Sequence, residues 1–213
     1  MPLPSSDPSR QLRHRRAIRV DAFARGDGLW EVDVNISDVK TRETRSPAGV
    51  RAAGEPIHDL MLRLVVDTQF NIIEAGAESL STPYPGHCEQ HGDAYGQLAG
   101  MNLLRGFKRG VREKLGGTAG CTHLTELADV LPTAVIQAFA GEVINTQGDG
   151  DTAPFQLDRC HALKTDGEVV RLHYPRWFRQ VNTSKLAHNR APMTQAAPQG
   201  EPPKADSAPF ISS

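Results

Sequence analysis

The chain has little that would tie it to a membrane, to nucleic acid or to an oxidising compartment. Only 3 cysteines occur among 213 residues, an odd number at wide spacing. That is a poor framework for disulfides and fits a reducing compartment. No stretch reaches the roughly eighteen apolar residues of a membrane span. The longest candidate, around Val130 to Ala140, is interrupted by Pro132 and Gln137. The arginine-bearing N-terminus is not followed by the apolar run that a signal peptide needs. Charge of one sign is missing too: the formal net charge is -1, which favours neither a nucleic acid nor a membrane surface as partner. These absences point to a cytoplasmic protein whose thiols are free for metal or catalysis.

What is present suggests one ordered domain over residues 13–177, between a polar N-terminus (1–12) and a Pro/Ala-rich tail (178–213) expected to be disordered. Ala17 to Ala24 and Leu29 to Val39 read as two strands joined through Gly26, Asp27 and Gly28. In the second, Trp30, Val32, Val34 and Ile36 share one face, and Glu31, Asp33, Asn35 and Ser37 the other. A polar surface loop around Arg42 to Gly49 follows. The third strand starts after Pro56, with Leu60, Leu62, Leu64 and Val66 on its apolar face and His58 on that same side. Phe70 to Ala77 returns as a fourth strand.

The period then changes. Leu104, Phe107, Val111 and Leu115 are spaced as one helical stripe ended by Gly116, Gly117 and Gly120, and the basic residues between Arg105 and Lys114 form a solvated face. A long helix begins near Thr122, a good N-cap type, carries Leu124, Leu127, Leu131 and Val135 along one side, and is expected to kink at Pro132. A last short strand is expected over Glu168 to His173. Strands first and helices afterwards mean α+β: an antiparallel sheet of three to four strands with helices packed on one face.

Three segments place a thiol or an imidazole at the end of an element. They are Pro56-Ile57-His58-Asp59, Pro85-Gly86-His87-Cys88 and Gly120-Cys121-Thr122-His123. A borderline divalent ion such as zinc takes about four Cys, His or carboxylate ligands, and element ends are where such side chains converge from distant sequence. The metal candidates are therefore His58, Cys88, Cys121 and His123, with Cys160 or Asp59 as alternative fourth ligand. Cys121 and His123 are two apart, about 200° around a regular helix, so they share an ion only if Cys121 precedes the first turn. Asp59 should face away from His58 unless a bulge intervenes. Asp59 and His161 are the acid–base candidates. His91 stands on a polar stretch and is expected to be solvent-exposed.

The run G-E-P-I-H-D-L-M-L-R-L-V-V followed by N-I-I-E-A resembles the central strands of the NifU/IscU-type iron–sulfur scaffold proteins. The resemblance implies that His58 stands at that family's first cysteine ligand, Cys88 at its second, and Cys121 with His123 at the His-Cys pair opening its last helix. Departures are His for Cys at the first ligand, C-T-H for H-C, and L-G-G-T-A-G where the scaffolds carry their chaperone-recognition segment. D-G-L-W-E, G-E-P-I-H-D-L, G-G-x-x-G-C-T-H-L-x-E-L and C-H-A-L-x-x-D-G-E-V-V further resemble an uncharacterised bacterial family, domain of unknown function 2889. Three functions follow as expectations. One is a metal-dependent enzyme acting on a small-molecule substrate. The second is a metal or iron–sulfur carrier serving a protein partner. The third is a metal-free structural adaptor.

Overall fold

Alternation of period two governs the first half of the chain, and it produces the sheet on which everything else rests. A computed structural model describes residues 2–180; the remainder of the expected tail lies outside the described residues. Strands β1 (His14–Ala24), β2 (Trp30–Lys40), β5 (Pro56–Val66) and β6 (Ile72–Ser81) form one antiparallel sheet in the order β1-β2-β5-β6. The polar stretch expected as a loop holds a small hairpin, β3 (Thr44–Ser46) with β4 (Gly49–Arg51). Arg51 anchors that hairpin to the sheet, donating to the Pro56 carbonyl at 2.8 Å, to Ser81 Oγ at 2.9 Å and to the Thr82 carbonyl.

The register aligns the apolar faces rung by rung: Val32 opposite Leu64, Val34 opposite Leu62, Ile36 opposite Leu60. All six are buried. The face is closed by α2 (Thr122–Phe139), whose Leu124, Leu127, Leu131, Val135 and Phe139 are buried at helical spacing. α1 (Phe107–Leu115) adds Phe107, Val111 and Leu115. Leu104, expected on that stripe, precedes the helix and is exposed. Helix α2 runs on through Pro132, and Cys121 rather than Thr122 is its N-cap residue, extended at φ -92 and ψ 128.

Between β6 and α1 a 3-10 segment, Cys88–Leu98, packs along β6 and buries Tyr95 and Leu98. The approach is close: a Cβ on Gly92 would stand 2.8 Å from the Ala77 carbonyl oxygen.

Contacts divide the described chain into two compact units, one up to Phe155 and one from Gln156. In the second unit, Glu168–His173, expected as a strand, is a helix, α3. In place, the one-turn pattern buries Val170 alone while Val169 and Leu172 stay exposed, and the Glu168–Arg171 pair one turn apart stabilises the helical form. Asp158 organises the preceding loop by accepting the Thr165 N–H at 2.8 Å.

Candidate metal centre

Inner-face positions recur every second residue, so one further step along the apolar ladder decides what stands at its end. That step places Asp38 opposite His58, with Arg16 of β1 opposite Asp38 on the other side. Arg16, Asp38 and His58 thus form a polar row across three strands where the apolar rows stop. The first turn of α2 lies over this end and adds His123 and Glu126.

Asp38 is the hub. Its side chain is 4% exposed. Arg16 forks onto it, Nε to Oδ1 at 2.9 Å and Nη2 to Oδ2 at 2.8 Å. His14 Nε2 stands 2.8 Å from Oδ1 and His58 Nδ1 3.0 Å from Oδ2. The other Arg16 nitrogen, Nη1, reaches Glu126 Oε2 at 2.7 Å. Burial alone pushes the Asp38 carboxyl up, but hydrogen bonds from Arg16 and His14, the Arg16 charge and the bond from His58 outweigh it and hold the group at about 2. A carboxylate ionised at neutral pH accepts and cannot donate. The His58 nitrogen facing it therefore carries the proton, which leaves Nε2 with its lone pair. Burial lowers the His58 pKa, and the neighbouring His123 lowers it further against the pull of Asp38, so the ring favours the neutral form that ligates metals.

His123 stacks on His58 with ring centroids 3.8 Å apart, and its Nε2 lies 3.8 Å from Asp38 Oδ2. Asp38, His58 and His123 can each offer a ligand atom, all within 4.8 Å of one another. Asp38 is already bound by a guanidinium fork and two imidazoles. It is better suited to orienting His58 than to leaving those partners for a cation, the role that carboxylates play behind metal-bound histidines.

A pocket of about 280 Å³ opens beside this row, and His58, Cys88, His91, Cys121 and His123 all stand on its wall. The four residues singled out as metal ligands from sequence are thus brought to one cavity, with both cysteines half-buried. The cysteines line the pocket but stand outside the tighter Asp38–His58–His123 group. His91 is exposed, as expected, yet it belongs to the same wall. Asp59 points to the opposite face of the sheet, where Asn35 Nδ2 donates to it at 2.7 Å. Cys160 is exposed and His161 opens a short 3-10 turn, both in the second unit.

Local structure explains how the cysteines reach the wall. Gly86, at φ +80, supplies the left-handed residue of the turn that carries the chain back from β6 to Cys88. Cys121 is fixed through its backbone: its N–H donates to the buried Tyr95 hydroxyl at 3.0 Å, and that hydroxyl donates to the Cys121 carbonyl at 2.8 Å. No side chain fits at the preceding position, since a Cβ on Gly120 would stand 2.4 Å from the Leu115 carbonyl oxygen. We predict that Tyr95→Phe costs about 1–2 kcal/mol of stability, because it strands the Cys121 N–H away from water. Denaturant titration measures this. An unchanged midpoint at unchanged slope would show that the clamp contributes nothing.

Sequence reasoning missed Asp38, Arg16 and His14. The signal was available in the period-two pattern of β2: it puts position 38 on the same face as Ile36, where a carboxylate needs a partner.

The model of the family described as protein of unknown function (DUF2889) matches residues 14–137, more than half of the chain, from the first strand into α2. No curated protein and no solved structure matches the chain. Among the described residues no helix is long and apolar enough to cross a membrane.

Proposed function

The chain belongs to the DUF2889 family, and from the site's geometry we propose that it binds a divalent metal ion of the zinc type at His58 and His123. The carrying observation is the Asp38–His58–His123 cluster, with ligand atoms within 4.8 Å of one another at the wall of a pocket. In this reading Asp38 holds His58 in the tautomer that presents Nε2, and Cys88 or Cys121 swings from the same wall as a third ligand, leaving the fourth position open to the pocket. His, Cys and room for four ligands suit zinc better than magnesium or calcium, which take oxygen. Bound there, such an ion would act as a Lewis acid towards a molecule in the pocket. An enzyme of small-molecule metabolism is therefore favoured over a carrier, because a carrier has no use for a cavity beside its ligands.

The pair of cysteines on one wall favours a second reading, an iron–sulfur cluster on the same residues. Elemental analysis and a visible spectrum of protein purified without oxygen separate the two. Close to one zinc per chain and no colour supports the first reading. A brown chain holding iron and sulfide replaces it with the second, and a chain free of metal after purification with zinc supplied defeats both.

A further inference from the structure

The same pocket restricts what the ion could meet. Its wall holds histidines, thiols, hydroxyls and apolar groups, including Leu60, Pro83 and Tyr84, and among the described residues not one Lys, Arg, Asp or Glu lines it. Charged groups do stand nearby, but each is committed elsewhere. Arg16 is shared between Asp38 and Glu126 behind His58, Glu89 accepts from Oγ1 of the wall residue Thr82 at 2.9 Å, and Arg51 is taken by the Pro56 and Thr82 carbonyls and Ser81 Oγ. Phosphates and carboxylates are normally recognised by guanidinium forks or ammonium groups, and among the described residues none lines this wall. The backbone N–H of Cys121, at the start of α2, is taken by the Tyr95 hydroxyl. The cavity, about 280 Å³, equals the share of roughly nine water molecules in the liquid, at the small end for ligand pockets.

We infer that the pocket admits a small uncharged molecule presenting a nitrogen, oxygen or sulfur donor to the open position of the ion that the histidines would hold and an apolar body to Leu60, Pro83 and Tyr84. This rests on the metal reading above and narrows its substrate class: phosphorylated and carboxylated metabolites are excluded. A single aromatic or short aliphatic body fits the volume, and Tyr84, partly exposed at this wall, offers it a flat face.

The test uses the full chain at about pH 8, titrated by calorimetry first with zinc and then with two probes of similar size, neutral 4-phenylimidazole and dianionic phenyl phosphate. The expected result is that 4-phenylimidazole binds the zinc-loaded chain at least about tenfold more tightly than phenyl phosphate, and that Tyr84→Arg, at an exposed position, narrows the ratio. Equal or tighter binding of phenyl phosphate would overturn the inference while leaving the metal site standing. Should zinc fail to bind, the metal reading falls by itself, and the same comparison on the metal-free chain decides the pocket's preference. If neither probe binds in either form, the inference falls.

Discussion

Asp38→Ala is expected to lower folding stability by about 3 kcal/mol, because it leaves Arg16 and His58 without the buried carboxylate that pairs them. The loss should depend on pH. With the carboxyl held at about 2 when folded, against an ordinary value of 3.8, the unfolded chain takes up the proton first as pH falls. The stabilisation is complete above about pH 4 and disappears as pH drops towards 2, a loss of about 2 kcal/mol. Lowering of the His58 pKa acts in the same direction at a higher pH. Below 6.5 the unfolded imidazole is protonated before the folded one, so metal-free protein loses stability as pH falls through that region. Denaturation of the metal-free chain across pH 2–8 should show both declines. In Asp38→Ala the lower one should vanish, and a curve parallel to wild type would show that Asp38 is not the hub.

Phe139→Ala should be the most destabilising single change in the core, at about 3–5 kcal/mol. Phe139 is fully buried at the last turn of α2, between Trp30 and Phe70 with ring centroids at 5.1 Å and 5.0 Å. Truncation removes both ring contacts and leaves a cavity between Trp30, Phe70 and the end of α2. It sits at the far end of α2 from His123, so zinc affinity should stay within about twofold of wild type at temperatures where the variant is folded. A shift in denaturation midpoint worth less than about 1 kcal/mol would mean that the end of α2 contributes little to the core.

The two ends of α2 also show what could be read from the sequence. The apolar ladder was legible because Val32, Val34 and Ile36 and then Leu60, Leu62 and Leu64 repeat every second residue, and this also turned His58 inward. Its polar end was not, because the strand boundaries were drawn at Ala17 and Val39, where hydrophobicity fades. The hydrogen-bonded ladder continues to His14 and Lys40, past the last apolar residue. Pairing energy of the backbone carries a strand onward where its side chains give no signal, and His14 and Arg16 lie in that extension of β1; Asp38 falls inside the second strand as read from sequence, but nothing local shows that its partners stand on β1 and β5. Likewise Glu168–His173 is too short for periodicity to separate strand from helix. Cys88 and Cys121 were identified by type and by their place at element ends. Their arrival at one pocket depends on the turn at Gly86 and on the Tyr95 clamp, long-range geometry that local sequence does not encode.

Zinc titration by calorimetry of wild type, His58→Ala, His123→Ala and Cys160→Ser, each checked for folding by circular dichroism, tests the central claim most directly. The account predicts one zinc per wild-type chain, affinity reduced at least about a hundredfold in both histidine variants, and wild-type binding in Cys160→Ser. Wild-type affinity in folded His58→Ala and His123→Ala would contradict it and return both histidines to the role of packed partners of Asp38.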